Sequence, residues 1–96
     1  MKYFFHPEAM QEFGEAVVYY EECEKGLGIE FVAEIYKGIE LISQYPEAWH
    51  LLSKQTRRYL ISRFPYGVIY RKNEDSIFIL AIMQLNREPN YWKKRH

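Results

Sequence analysis

Four arginines lie within residues 57–71, in a stretch whose other residues are typical of β-strands. They are Arg57, Arg58, Arg63 and Arg71. Guanidinium groups bind phosphate and carboxylate in bidentate fashion and are rarely fully buried. One interpretation is a sheet face that meets an anionic or acidic partner. The other is an ordinary antiparallel hairpin whose solvated face is rich in arginine.

Binding a phosphate group is not sufficient to cleave a phosphodiester bond, because RNA cleavage also needs a base for the 2′-hydroxyl and an acid for the leaving oxygen. If the chain is a nuclease, the candidate catalytic residues are Arg58, Arg63, Arg71, Arg87 and Tyr91. If it only binds a partner, the basic end of the chain joins the candidate set. The predicted partner-binding residues are then Arg58, Arg63, Arg71, Arg87, Tyr91, Trp92, Lys93, Lys94 and Arg95.

Formal charge is divided unevenly along the chain although its sum is zero. Residues 1–53 contain ten glutamates and three lysines, which leaves −7, whereas residues 54–96 contain ten Lys or Arg and three acidic residues, which leaves +7. Local potential rather than total charge steers association, so this division favours a charged binding surface. Alternatively, acidic helices and a basic sheet neutralise each other within the monomer.

Composition indicates one globular domain over residues 1–96, with 48% hydrophobic and 18% aromatic residues. No apolar run is long enough for a membrane span, and the N-terminal apolar run is too short for a signal peptide. Cys23 is the only cysteine, so a cytoplasmic location is the default expectation. The absence of paired-cysteine spacing and of a glycine-rich phosphate loop predicts no metal site and no cofactor.

Two amphipathic helices are predicted in the first half. Apolar residues recur at helical spacing over residues 7–24, with glutamates on the wetter side, and again from Phe31 to Ile42. Gly26 breaks the first helix and Pro46 ends the second. Gly14 lies inside the first helix, where it predicts the close approach of another backbone.

The second half predicts strands, after an initial strand at residues 2–5. Residues 47–56 have no clear period and predict a loop with Trp49, Leu51 and Leu52 beneath it. A hairpin turning at residues 65–67 follows, and then a central strand over residues 76–85 that is apolar on both faces. The last residues, 87–96, form a short helix or a basic tail. The whole is an α+β fold of order β-α-α-β-β-β, in which a helical hairpin covers one face of a mainly antiparallel sheet.

Four blocks of sequence resemble the RelE/ParE superfamily of toxins from type II toxin–antitoxin modules, and most of all its ParE-like, plasmid-stabilisation branch. They are HPEAMQEFGEAVVYYEECEKGLGIEFVAEI, SQYPE, RRYLISRFPYGVIYR and ILAIMQLNREPNYWKKR. The resemblance implies a microbial ribonuclease-like α+β fold and a toxin held inactive by a cognate antitoxin. ParE-like members inhibit DNA gyrase by binding, whereas RelE-like members cut messenger RNA on the ribosome.

The pattern of the ribonuclease members is incomplete in this sequence. Gly67 stands where they commonly carry an arginine, and residues 84–86 stand where a histidine is frequent. His6, His50 and His96 do not fit the pattern. The resemblance therefore favours a gyrase inhibitor that is not itself an enzyme and that binds an acidic, partly disordered antitoxin segment. An atypical ribosome-dependent endonuclease and an inactive member that retains only antitoxin binding are the alternatives.

Overall fold

A computed structural model describes residues 1–95. Its helices and strands are β1 (Lys2–Phe5), α1 (Pro7–Cys23), α2 (Leu27–Gln44), β2 (His50–Leu51), β3 (Thr56–Leu60), β4 (Tyr66–Lys72) and β5 (Ser76–Gln84). The strands form one sheet in the order β1-β5-β4-β3-β2. Only the β1–β5 pair is parallel among them, so the predicted α+β fold with a mainly antiparallel sheet is confirmed. No helix within residues 1–95 is long and apolar enough to cross a membrane.

The two helices begin where local side chains satisfy their free N–H groups. His6 precedes α1, and its Nδ1 accepts a hydrogen bond from the Glu8 N–H at 3.1 Å. Glu21, near the end of α1, accepts from the N–H groups of Gly26 and Gly28 at 2.9 and 3.0 Å and so caps α2. Gly26 has a φ of 90°, which suits glycine and allows the sharp reversal between the helices.

One face of the sheet packs against both helices and forms the main core. Its sheet residues come from β3 to β5 and include Val68, Tyr70 and Ile79, all fully buried. Aromatic rings from the helices join them, with Phe31 edge-on to Phe64 at 5.1 Å between centroids. We call the opposite face, which turns away from the helices, the far face.

An irregularity in β5 gives the far face its own apolar cluster. Tyr70 pairs with Ile79 and Ile69 pairs with Ala81, so Leu80 is left over between them. Such a bulge interrupts the strict alternation of side chains. Leu80 and Ala81 therefore both contribute to the far-face cluster, together with Ile69, Met83 and Trp92. Since Ile77, Ile79 and Ile82 belong to the main core on the other face, β5 is apolar at nearly every position because both of its faces are covered.

The predicted hairpin is present, but its turn is misplaced. β3 ends at Leu60 and β4 begins at Tyr66, so the connection is residues 61–65 and Gly67 lies inside β4. The positive φ belongs to Arg63, at 72°, and not to Gly67. A Cβ at Gly67 would lie 3.2 Å from Cγ of Arg58 on the neighbouring strand, so a larger residue there would require the Arg58 side chain to shift by a few tenths of an ångström.

Three other local predictions were also wrong. No atom lies within 4 Å of a Cβ placed on Gly14, so no backbone approaches there. The predicted loop contains β2, which pairs with β3, and Leu51 is 50% exposed rather than tucked underneath. The chain after β5 forms turns up to Lys94 rather than a helix or a free tail.

Candidate partner-binding surface

The far face carries two of the predicted arginines among apolar neighbours. Arg58 lies directly opposite Ile69, and Arg71 lies directly opposite Phe78. Residues paired in this way project from the same face of a sheet, so both arginines lie on the side away from the helices. On the neighbouring strand β1, Phe4 lies opposite Phe78 and projects from the same face.

The C-terminal segment, residues 85–95, covers part of this face. Trp92 is only 4% exposed and packs in the cluster with Ile69 and Leu80. Tyr91 is half-buried beside it. Trp92 therefore belongs to the core of the folded chain and is not available as a contact residue unless the segment moves. Lys93 and Lys94 are exposed.

A carboxylate from α1 holds the C-terminal segment in place. Glu12 accepts two hydrogen bonds from Arg95, from Nη1 to Oε1 and from Nη2 to Oε2, each 2.9 Å. It also accepts from Nη1 of Arg87 at 3.2 Å and from the N–H of Ile82 at 3.1 Å. The Glu12 side chain is 11% exposed, although its position among the glutamates of α1 had predicted the wetter side.

Glu12 was missed because its spacing in the sequence is that of an ordinary surface glutamate. Its partners lie at the other end of the chain, and no local pattern indicates them. Arg95 is 7% exposed and also donates from Nη1 to the carbonyl of Leu80 at 2.9 Å. The hydrogen bond that Arg95 donates to Glu12 is the main factor that raises the pKa of Arg95, so this guanidinium stays charged inside the molecule.

The ring of Tyr91 lies close to both Arg87 and Arg95. The guanidinium carbon of Arg87 lies 3.6 Å from the ring centroid, and that of Arg95 lies at 5.0 Å. Burial, with the nearby Glu12 carboxylate as a further factor, raises the pKa of the Tyr91 hydroxyl. The phenol is therefore held in its protonated form at neutral pH and is a poor general base.

Arg63 also meets a glutamate of the chain's own helices. It forms an ion pair with Glu30 of α2, and the hydrogen bond in that pair is the main factor that raises its pKa. Three of the predicted binding arginines, Arg63, Arg87 and Arg95, are thus paired inside the monomer. The acidic and basic halves of the sequence neutralise each other at these points, which was the alternative interpretation of the charge division.

Arg58 and Arg71 have no carboxylate partner within residues 1–95. The Nε of Arg58 is buried and lacks a hydrogen-bond acceptor there. The guanidinium of Arg71 lies over the ring of Phe78, 5.3 Å from its centroid. These two groups remain available to an anion. Arg57 donates only from Nη1 among the described residues, to the carbonyl of Trp49 at 2.8 Å, so its other N–H groups can also meet an anion.

The histidines are spread over the molecule. His6 caps α1, and His50 lies on β2 directly opposite Arg58. The sequence had predicted a loop at His50. His96 lies outside the described residues. Within residues 1–95 no group of three or more His, Cys, Asp or Glu side chains is arranged to hold a metal ion.

The family model for the ParE toxin of type II toxin-antitoxin system, parDE, matches residues 3–89. The chain belongs to the ParE toxin family. Among solved structures, the chain resembles one from the chromosomal ParDE TA system from P. aeruginosa, with a TM-score of 0.76 and 16% identity. That match covers 88% of this chain and 96% of the other, and at this identity it shows the fold alone. A search of curated protein sequences found no match.

In this ParE family member, the match includes Arg58 and Arg71 on the far face and Glu12 on α1. It ends before Arg95, the residue that donates two hydrogen bonds to Glu12. The ion pair that fastens the C-terminal segment thus joins a residue inside the matched range to one beyond it.

Proposed function

We propose that residues 1–96 form one toxin domain of a type II toxin–antitoxin module, which acts in the cytoplasm by binding DNA gyrase and is neutralised by a cognate antitoxin. The observation that carries this proposal is the ParE family match over residues 3–89. The ParDE name of the structural relative agrees with it. The toxin performs no covalent chemistry in this proposal.

The side chains on the far face support binding rather than cleavage. Arg58 and Arg71 can each hold an anionic group in bidentate fashion. Cleavage of RNA would also need a proton acceptor and a proton donor that titrate near neutral pH. Tyr91 is kept protonated, and Arg87 is paired with Glu12. Gly67 contributes no side chain to the surface.

An antitoxin that covers this surface would carry acidic residues opposite the free guanidinium groups and apolar residues against the exposed part of the sheet. Leu60 at the end of β3 is 51% exposed and Phe4 on the edge strand is 56% exposed. Such side chains provide apolar contact area beside Arg58 and Arg71. The charged contacts would then fix the position of the antitoxin segment.

The proposal is tested by inducing the chain in a bacterial host and measuring growth, plasmid supercoiling and transcript integrity together. We expect growth to stop and negative supercoiling to fall while transcripts stay intact. Co-expression of the adjacent reading frame should restore both growth and supercoiling. Growth arrest with normal supercoiling would contradict gyrase as the target, and unimpaired growth would contradict toxicity itself.

A ribosome-dependent endonuclease is the second candidate, and one observation favours it. His50 is the cross-strand neighbour of Arg58, so an imidazole lies beside a free guanidinium on the sheet. Imidazole can accept and donate a proton near neutral pH. If induced cells show cut transcripts, His50→Ala should abolish the cutting, whereas His6→Gln, which changes the histidine that caps α1, should leave it unchanged.

A further inference from the structure

A basic cleft lies at the end of the sheet where β4 runs into its turn with β5. Its cations are Lys54 from the segment before β3, Arg57 from β3, and Arg71 and Lys72 from β4. The cleft has a volume of about 350 Å³ and opens to solvent. Only Arg71 among these four residues was part of the predicted binding set. Arg57 lies in the arginine-rich stretch of residues 57–71, and Lys54 and Lys72 flank that stretch.

The two arginines of the basic cleft are held in place before any ligand arrives. Arg57 donates to the carbonyl of Trp49, and the guanidinium of Arg71 lies over Phe78. The backbone before the lining residue Glu47 is fixed as well, because the carbonyl of Pro46 accepts a hydrogen bond from the buried hydroxyl of Tyr70 at 2.6 Å. Groups that are already ordered lose little conformational entropy on binding.

The basic cleft has an excess of positive charge. Four cations line it against a single carboxylate, that of Glu47. Glu47 is largely exposed, and its Oε1 lies 3.9 Å from Nζ of Lys72, at the limit of an ion pair. A surface pair of this kind contributes little and yields readily to a competing anion. The cleft therefore attracts a ligand with several negative charges.

The side chains around the cations indicate which kind of anion fits. No aromatic side chain lines the basic cleft, so nucleic-acid bases would have nothing to stack on. Leu51 lines it instead and is half exposed, which provides contact for an apolar side chain. Leu51 belongs to β2, the edge strand of the sheet, whose outer side pairs with no other strand in residues 1–95. An extended peptide can add to such an edge.

From these observations we infer that the basic cleft binds an extended acidic peptide segment, whose carboxylates meet Lys54, Arg57, Arg71 and Lys72 and whose apolar side chains contact Leu51. Under the proposed function the natural source of this segment is the antitoxin. The identity of the partner thus rests on that function, whereas the binding site itself does not.

Fluorescence anisotropy tests the inference with two labelled probes of equal length, a peptide of alternating glutamate and leucine and a single-stranded oligothymidine. The cleft variant combines Lys54→Glu with Lys72→Glu. The control variant combines Lys25→Glu with Lys37→Glu, which gives the same change in net charge. Both lysines are exposed, and they lie in the turn between the helices and on α2. Circular dichroism and thermal unfolding check both folds, and Lys54→Gln with Lys72→Gln replaces the cleft variant if it does not fold.

We expect the wild-type chain to bind the peptide, with affinity that falls as salt rises, and the cleft variant to bind about tenfold more weakly. The control variant should bind as the wild type does. Equal weakening in both variants would overturn the inference, because overall charge would then explain binding. No binding of the peptide at low salt, or tighter cleft-dependent binding of the oligothymidine, would overturn it as well. Inhibition of gyrase supercoiling by the chain is measured in a separate assay. A failure of peptide binding at the cleft can therefore be distinguished from a failure of gyrase inhibition.

Discussion

Glu12 and Arg95, separated by 83 positions in the sequence, form a bidentate ion pair with two hydrogen bonds, and both side chains are almost entirely buried. The pair fastens the last residues of the chain to the first helix, so that the C-terminal segment lies across the far face. It also neutralises the guanidinium of Arg95, which the sequence analysis had predicted to bind a partner. Positive charge on the far face is thus shared between internal ion pairs and two free arginines, Arg58 and Arg71.

Removing the carboxylate of Glu12 should destabilise the fold strongly. Glu12→Ala leaves the buried Arg95 guanidinium without its counter-charge, which costs about 3–5 kcal/mol in the free energy of unfolding. Urea unfolding followed by circular dichroism measures this. Glu15→Ala, an exposed glutamate one turn along α1, is the control and should change stability by no more than about 0.5 kcal/mol. Similar losses in the two variants would show that the buried pair is not important for stability.

Two glycines in helix interiors should respond to alanine in opposite directions. At Gly14 the new methyl group meets nothing within 4 Å, so Gly14→Ala should raise the free energy of unfolding by about 0.5–1 kcal/mol through helix propensity alone. At Gly38 the Cβ would lie 2.6 Å from the ring of Tyr59, so Gly38→Ala should lower it by about 1–3 kcal/mol. Urea unfolding of both variants is the measurement. A stabilising Gly38→Ala would contradict the close packing of α2 on β3.

Stability should fall in strongly alkaline solution partly because of one buried phenol. Burial raises the pKa of Tyr70 to about 12, above its ordinary value of 10. A group whose pKa is raised on folding stabilises the protein below its unfolded pKa, and that contribution is lost as pH rises through the folded value. Between pH 10 and about 12 Tyr70 should therefore account for a loss of about 2 kcal/mol.

Tyr70→Phe separates this contribution from the titration of lysines in the same range. The variant lacks the hydrogen bond to the carbonyl of Pro46, so it should be less stable by about 1 kcal/mol at neutral pH. Its stability should then fall less steeply than that of the wild type above pH 10. Parallel curves from pH 10 to 12, measured by urea unfolding, would refute the assignment to Tyr70.

Arg58 should matter for toxicity more than for folding. Its Nε is buried without an acceptor within residues 1–95, so Arg58→Ala removes an unsatisfied donor and should change the free energy of unfolding by less than about 1 kcal/mol. Growth arrest after induction should weaken clearly, because a free guanidinium on the far face is lost. Arg63→Ala, which breaks an exposed pair with Glu30, serves as the control and should leave arrest unchanged. Equal arrest by both variants would argue against the far face as the binding surface.

Residue periodicity and chain order were sufficient to predict the helical hairpin, the β3–β4 hairpin and the central strand β5. These elements follow from local patterns, since apolar spacing and proline positions act within a few residues. The resemblance in the sequence blocks likewise predicted the ParE family, which the match over residues 3–89 confirms. Placing the turn at Gly67 failed because the chain reverses earlier, around Arg63 with its positive φ, and Gly67 pairs with Leu60 inside the hairpin. The register between two strands depends on their pairing and is not visible in a local proline–glycine pattern.

Which charged residues remain free was decided only by the tertiary structure. In the sequence, Glu12 was one glutamate among several on α1, and Arg63, Arg87 and Arg95 were equivalent to Arg58 and Arg71. An ion pair depends on the distance between two atoms, and residues far apart in the chain are brought within that distance only by packing. The sequence determined that this protein has an acidic helical half and a basic half, whereas the fold determined which of those charges neutralise each other and which remain for a partner.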